Sequence, residues 1–431
     1  MTKGEIDRLG QKIGASAEVS QEDLNKLQEF RQTFQEPISN VFNFVLSVAR
    51  KVDKQSIVTY RIKRIDTIVE KLRRFHENPN GKMNLSRMWD IAGCRCILNT
   101  SDEDKLYRLL DRIQKEYGKD CKIKDYVAEQ KTSGYRSIHI YVKDKQTQKP
   151  IEIQIRNKEQ HNWATLVEIV DLLYGTKNKE RGAESQLGRF LYLYSKAEDL
   201  TNEEFSEMIK IERRVKVFEK MSNVLTRNYL NIRRQWLKQK TKGSYFVITA
   251  NKKGSEIVSF PTFKEAETTY YDKYLANSDS NIVLTHLRMP DFNQISMAYS
   301  NYVLAMHAFF DDYRLLVSRK VISCIKDGSY FKFFKYFGIY TSNVRCHFEN
   351  LTLEIQSIND CSYDPTISRN QIKKWVGEIN TRLSLWVRET REFLREIGRE
   401  SWRNPLKRCL VKNRMKQLQK AINEGQRPPK R

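Results

Sequence analysis

The chain has 431 residues, 39% hydrophobic and 30% charged, with only 17 Gly and 9 Pro, which excludes collagenous, low-complexity and wholly disordered classes. Lys and Arg number 77 against 53 Asp and Glu, a formal net charge of +24, so polyphosphate, nucleic acid or another anionic surface is the expected partner class. The longest apolar stretches, such as Val41 to Ala49 and Phe190 to Tyr194, are far shorter than the ~20 residues a spanning helix needs. The N-terminal residues show no secretory signal, so a cytoplasmic chain with no membrane span is expected.

Residues 1–55 read mainly as helix, with Leu24, Leu27 and Phe30 on one stripe and a second segment from Pro37 carrying Ile38, Val41, Phe42, Val45 and Val48. Val58, Tyr60 and Ile62 alternate as in a strand, and Asp66 is placed to cap a helix through Ile68, Val69, Leu72 and Phe75. Asn78 to Asn84 is a turn-rich loop. A strand over 91–98, a helix over 102–117, strands over 135–142 and 150–156 and a helix from about Lys158 follow. Beyond a charged linker, Thr176 to Ser185, basic helices span 203–242. Tyr245 to Ala250, Glu256 to Phe260, a helix over 262–275 and a strand over 282–287 suggest a small ββαβ unit, and helices resume from about Phe292. The last 31 residues, Ser401 to Arg431, hold ten Lys or Arg and one acid. The seven cysteines form no Cys-x-x-Cys pair and read as reduced thiols rather than zinc ligands.

The fold class expected is α+β: a mixed-sheet, nucleotidyltransferase-like domain flanked by helices, then a mainly helical region containing the ββαβ unit. The expected divisions are N-terminal helices over 1–55 packing on a catalytic domain at 56–180, a basic helical connector at 181–244, the small unit with a helix at 245–320, and a basic helical region at 321–431.

There is no GxxxxGK[ST] and no GxGxxG, so phosphates must be held by side-chain cations. Strand residues two apart share a face. Glu152, Gln154 and Arg156 therefore form one polar face opposite Ile151, Ile153 and Ile155, and Tyr135, Ser137, His139 and Tyr141 stand opposite Ile138, Ile140 and Val142. One face of this sheet is dressed for a ligand.

Four motifs stand in order: Arg61-Ile62-Lys63; Asp90-Ile91-Ala92-Gly93-Cys94-Arg95; Lys124-Asp125-Tyr126-Val127 through Lys131-Thr132-Ser133-Gly134-Tyr135-Arg136-Ser137-Ile138-His139; and Ile151-Glu152-Ile153-Gln154-Ile155-Arg156. Together they resemble the RelA/SpoT alarmone synthetase domain over roughly residues 40–180. The resemblance implies pyrophosphate transfer from ATP to the ribose 3′-hydroxyl of GDP or GTP, giving AMP and (p)ppGpp. It implies Mg2+ held by Asp90 and Glu152, with Glu152 also helping to deprotonate the hydroxyl. Such oxygen ligands suit a hard cation. By the same resemblance Arg61, Lys63 and Lys71 contact ATP, Arg95 faces phosphate, Lys124 and Lys131 lie near the acceptor's phosphates, and Tyr135 stacks on its base. Stacking tolerates any base. His139 is suited to ribose or phosphate, Gln154 and Arg156 complete the polar face, and His161 supports them.

Three positions depart from the pattern: Gln130 stands for the usual Pro, Thr67 for a common Ser, and Glu168 lies one residue late on its helix. One residue turns a helical side chain by about 100°, which puts Glu168's acidic role in question. The His and His-Asp arrangement of the family's hydrolase half is absent from the residues before this domain, so alarmone degradation is not expected. Two other readings stay open: pyrophosphorylation of a tRNA 3′ end or an adenine nucleotide, as in toxic relatives, and a catalytically inert RNA-binding stress sensor. RNA would be held by the basic helices and the C-terminal tail, with steep salt dependence. A further expectation is that the C-terminal region restrains or senses.

Overall fold

The computed structural model describes residues 1–78, 84–118, 121–176, 178, 182–196, 199–239, 243–251, 254–276, 281–289, 291–303, 307–402 and 405–425. They divide into two units, one of residues 1–195 with 239–303 and one of 196–238 with 304–431.

The first unit begins with helices α1 (Lys3–Ala15), α2 (Gln21–Gln32) and α3 (Gln35–Val52). Strand β1 (Ile57–Ile62) leads to α4 (Ile65–Glu77), β2 (Ala92–Leu98), α5 (Asp104–Tyr117), β3 (Lys122–Asp125), β4 (Ile138–Lys143), β5 (Pro150–Asn157), α6 (Lys158–Tyr174) and α7 (Gln186–Lys196). After an excursion into the second unit the chain returns as β6 (Tyr245–Asn251), β7 (Gly254–Phe260), α10 (Phe263–Ala276), β8 (Asn281–His286), α11 (Phe292–Ala298) and α12 (Ser300–Val303), where α8 (Asn202–Val215) and α9 (Val217–Lys238) lie in the excursion.

The eight strands of the described residues join one mixed sheet in the order β3-β4-β5-β2-β1-β8-β6-β7. Among the described residues, β2 and β5 pair in parallel and the other strand pairs are antiparallel. The expected ββαβ elements are present, but they are not a separate unit. Strand β8 pairs with β1 through Tyr60↔His286 and Arg61↔Thr285, so β6 to β8 extend the sheet formed by β1 to β5. The reason is that β1 offers unsatisfied backbone groups along the edge β2 leaves free, and β8 supplies them. The expected connector at 181–244 is divided as well: α7 belongs with the sheet up to Ser195, residues 196–238 belong with the second unit, and the chain rejoins the first unit from Gln239.

Alternation explains the layers. Val58, Tyr60 and Ile62, Cys94 and Cys96, Ile138 and Ile140, and Ile151, Ile153 and Ile155 are all buried in one core with Val41, Phe42, Val45, Leu106, Leu109 and Ile113 of α3 and α5. Their alternate residues form the opposite, polar face. Helix α4 starts two residues earlier than expected: Arg64 is the N-cap and Asp66 lies in the first turn. Strand β3 has no apolar run to announce it, since Lys122 and Lys124 are exposed. Tyr135 and Ser137 precede β4 rather than lying in it, because Gly134, at φ 93°, turns the chain just before. Part of the turn expected at 78–84 falls outside the described residues.

The second unit is helical: α8, α9, α13 (His307–Lys326), α14 (Tyr330–Ser362), α15 (Arg369–Ser401) and α16 (Pro405–Gly425). Its core is aromatic, with Phe218 stacked on Tyr313 at 4.3 Å and Tyr340 tilted against Phe393 at 4.2 Å between ring centroids. Several basic residues of α9 are committed inside this unit: Arg233 bonds Glu378 at 2.8 Å, Arg234 bonds Asp360 at 2.9 Å and Lys238 bonds Asp364 at 2.9 Å. The end of the basic C-terminal tail, 426–431, lies outside the described residues. Among the described residues no helix is long and apolar enough to cross a membrane, and no disulfide links the cysteines.

Candidate active site

Strand register assembles the polar face into two transverse rows. Lys122, Tyr141, Glu152, Gly93, Arg61 and Thr285 stand side by side across six strands, and Lys124, His139, Gln154, Arg95 and Thr59 form the next row. A cavity of about 630 Å³ opens over the middle of these rows. Eight Lys or Arg side chains line it, Arg61, Lys63, Arg64, Lys71, Arg74, Arg95, Lys131 and Arg156, against three carboxylates, Asp90, Glu152 and Glu168.

Asp90 lies just before β2, where Lys63 Nζ and Lys71 Nζ each donate to one of its carboxylate oxygens at 2.7 Å. Burial alone would raise its pKa, but the two ammonium groups outweigh it and hold the carboxyl at about 2, from an ordinary 3.8. A depressed folded-state value stabilises the fold above the unfolded pKa, and that contribution disappears as pH falls through the folded one. Between pH 5 and 3 the wild type should therefore lose about 1 kcal/mol more stability than Asp90→Asn. Urea midpoints at the two pH values measure this, and equal losses in both proteins would contradict the assignment.

Glu152 sits mid-strand on β5. His139 Nδ1 donates to its Oε1 at 2.8 Å and Gln154 Nε2 to its Oε2 at 3.0 Å. Burial raises this carboxyl, yet the His139 hydrogen bond and charge bring it below the ordinary value. His139 is raised in turn: burial opposes its charging, and Glu152 and Tyr135 overcome that. The phenol of Tyr135 lies 2.7 Å from His139 Nε2 and accepts from Arg156 at 2.6 Å. Burial pushes this phenol up, but Arg156 and His139 draw it down to about 7. Two ionised carboxylates, each fixed by named donors, thus face a strongly cationic cavity.

The model described as "Region found in RelA / SpoT proteins" matches residues 60–179. Residues 60–179 are a RelA/SpoT region. Similar proteins include the GTP pyrophosphokinase YjbM of Bacillus subtilis, 31% identical over 134 residues, covering 29% of this chain and 60% of that one. A probable chloroplastic GTP diphosphokinase, RSH3 of Arabidopsis thaliana, is 36% identical over 81 residues, 19% of this chain and 11% of that one. The chain therefore spans less than two thirds of the length of these relatives. Among solved structures, small alarmone synthetase 1 of Bacillus subtilis bound to its product pppGpp is 26% identical with a TM-score of 0.31, covering 46% of this chain and all of that one.

Within the RelA/SpoT region, Arg61, Lys63, Lys71, Asp90, Arg95, Lys131, Tyr135, His139, Glu152, Gln154 and Arg156 line the cavity, and Lys124 and His161 do not. That lysine is exposed on the edge strand β3, its Nζ 5.8 Å from the Tyr141 ring centroid. Tyr135 is covered by cations: Lys131 Nζ lies 5.2 Å and the Arg156 guanidinium carbon 5.1 Å from its ring centroid. Sequence reasoning missed Arg64 and Arg74. Their signal was available, since Arg64, Thr67, Lys71 and Arg74 follow the three-to-four-residue spacing of one helix face.

Residues remote from the RelA/SpoT region also reach this site, and no local signal announces them. Arg95 Nη1 donates to the Ala298 carbonyl at 2.8 Å, and its guanidinium carbon lies 5.7 Å from the Tyr299 ring centroid. His161 Nε2 is 2.8 Å from the Met297 carbonyl, so it carries the proton there, and burial holds this imidazole well below its ordinary pKa. Asn301 Nδ2 donates to Glu168 Oε2 at 2.5 Å. The late position of Glu168 on α6 thus comes with a partner from α12.

Proposed function

We propose that this chain transfers the β,γ-pyrophosphate of ATP to the ribose 3′-hydroxyl of GDP or GTP, producing AMP and the alarmone (p)ppGpp of stringent-type stress signalling. The observation that carries this reading is the pairing of two ionised carboxylates, Asp90 and Glu152, with eight cationic side chains around one cavity. Pyrophosphoryl transfer breaks the bond between the α,β-bridging oxygen and the β-phosphorus while the 3′-oxygen attacks that phosphorus. Its catalysis is mainly alignment and charge neutralisation.

The donor's triphosphate lies among Arg61, Lys63, Arg64, Lys71, Arg74 and Arg95, where guanidinium forks supply bidentate contacts and the lysines point charges. Glu152, below its ordinary pKa and aimed by His139 and Gln154, accepts the proton of the 3′-hydroxyl. Lys131, Tyr135 and Arg156 bind the acceptor, and a base stacking on Tyr135 replaces one of the cations now over its ring. The oxygen donors Asp90 and Glu152, both ionised, suit Mg2+. When bound, the ion neutralises part of the triphosphate charge; Lys63 and Lys71 hold Asp90 in place.

The test is product identification by mass spectrometry after incubating the chain with ATP, Mg2+ and competing GDP, GTP, ATP and tRNA acceptors. The expected result is AMP with a 3′-pyrophosphorylated guanosine nucleotide. Label on tRNA or an adenine nucleotide would move the acceptor to those classes, and no AMP at all would defeat the reading.

A further inference from the structure

Lys63 is held from behind by a buried ion pair that comes from neither of its own neighbouring elements. Arg31 of α2 has no exposed side-chain surface, and Glu267 of α10 is 1% exposed. Arg31 Nη1 meets Glu267 Oε1 at 2.9 Å, Gln28 Nε2 donates to the same oxygen at 2.7 Å, and Nη1 also bonds Gln28. The guanidinium lies 4.5 Å from the Tyr270 ring centroid. Its Nε donates to the main-chain carbonyl of Lys63 at 2.9 Å. One residue further along Arg64 bonds Asn281, and at the next residue Ile65 N donates to the Tyr270 hydroxyl at 3.0 Å.

The turn between β1 and α4 is thus gripped by three segments far apart in sequence. It is also the turn that presents Lys63 to Asp90, and Lys63 N closes the other side by bonding the Ile91 carbonyl at 2.7 Å. A buried ion pair is a poor choice for stability alone, because an apolar pair of similar volume avoids the desolvation cost. What an apolar pair cannot provide is a directed donor to the Lys63 carbonyl. We infer that Arg31 and Glu267 are positioning residues for the donor-nucleotide side of the site, acting through the Lys63 peptide. Glu267 fixes the guanidinium, the guanidinium fixes the carbonyl, and the lysine ammonium is thereby set beside Asp90. This rests on ATP being the donor, as proposed above, and makes the segment 239–303 part of the catalytic construction.

The experiment uses full-length chains and two readouts, binding of a non-hydrolysable ATP analogue with Mg2+ by calorimetry and steady-state transfer. Arg31→Met combined with Glu267→Leu removes the pair without stranding a charge. It should melt within a few degrees of wild type, bind the analogue about tenfold more weakly, raise the KM for ATP and leave the acceptor KM unchanged. Arg31→Lys keeps a charge opposite Glu267 but lacks the second donor arm, and it should show the same selective loss; it serves if the double variant does not fold. Wild-type analogue affinity in a folded variant of either kind overturns the inference. A wild type that binds the analogue without transferring pyrophosphate defeats the functional reading and leaves the positioning test intact through affinity, whereas a wild type that does not bind it defeats both.

Discussion

Glu152→Gln should lower kcat for pyrophosphate transfer by about a thousandfold while leaving the melting temperature within a few degrees of wild type. The shape of the side chain is kept, and its carbonyl oxygen still accepts from His139 Nδ1, which in the wild type is 2.8 Å from the carboxylate. What is lost is the negative charge and the proton-accepting power. Removal of a positioned general base typically costs 10²–10⁴-fold, and loss of a cation-binding carboxylate adds to it. The two losses are separable, since a defect in cation binding is partly relieved by raising Mg2+ and loss of the base is not. The assay follows AMP and the 3′-pyrophosphorylated product over time, with scanning fluorimetry as the folding control. Activity within tenfold of wild type would remove Glu152 from the chemistry and revive the inert, RNA-binding reading.

The second large effect concerns where the catalytic unit ends. A chain stopped at residue 238, before β6, should fail to give a cooperative near-ultraviolet melt, whereas one joining 1–195 to 239–303 through a flexible linker should melt cooperatively. The first truncation bares the β1 edge that pairs with Thr285 and His286 and removes Val247, Phe263, Ala266, Tyr270, Ile282 and Leu284 from the shared core. It also leaves Arg31 buried without Glu267, and breaking one side of a buried pair costs about 3–5 kcal/mol. Total stability of a domain is only about 5–15 kcal/mol, so these losses together exceed what the rest can sustain. A cooperative melt of the 1–238 chain near the full-length temperature would show that β6 to β8 are dispensable to the sheet. For the same reason, truncation near residue 200 is a test of folding rather than of regulation by the C-terminal residues. Regulation is better tested by removing the second unit alone.

Much of the site was legible because it is carried by short-range patterns. The alternation in Ile151 to Arg156 separates core from ligand face without knowledge of the neighbouring strands, and the same holds for Ile138 to Val142. Lys71 and the missed Arg64 and Arg74 obey helical spacing. Where no periodic apolar signal exists, legibility ended: β3 is four residues long with two exposed lysines, and Tyr135 was drawn into β4 because Gly134's turn leaves no mark on the alternation. The basic residues of α9 read as a surface for RNA, yet Arg233, Arg234 and Lys238 are engaged with acids of α14 and α15 or the link between them. Charge counted along a chain does not reveal which charges are paired.

By itself the sequence determined the chemistry of this protein: which side chains are carboxylates and cations, which strand faces they share, and that phosphates are met by side chains rather than by a glycine loop. Only the tertiary structure decided how far the catalytic unit extends. It recruits β8 to the β1 edge, sets Arg31 and Glu267 behind Lys63, and brings Ala298 and Asn301 to Arg95 and Glu168. Apart from Arg31 to Lys63, which are 32 positions apart, these contacts join residues more than a hundred positions apart. Periodicity says which face of an element is buried, but the partner that buries it is chosen by long-range hydrogen bonding and packing, which leave no local trace.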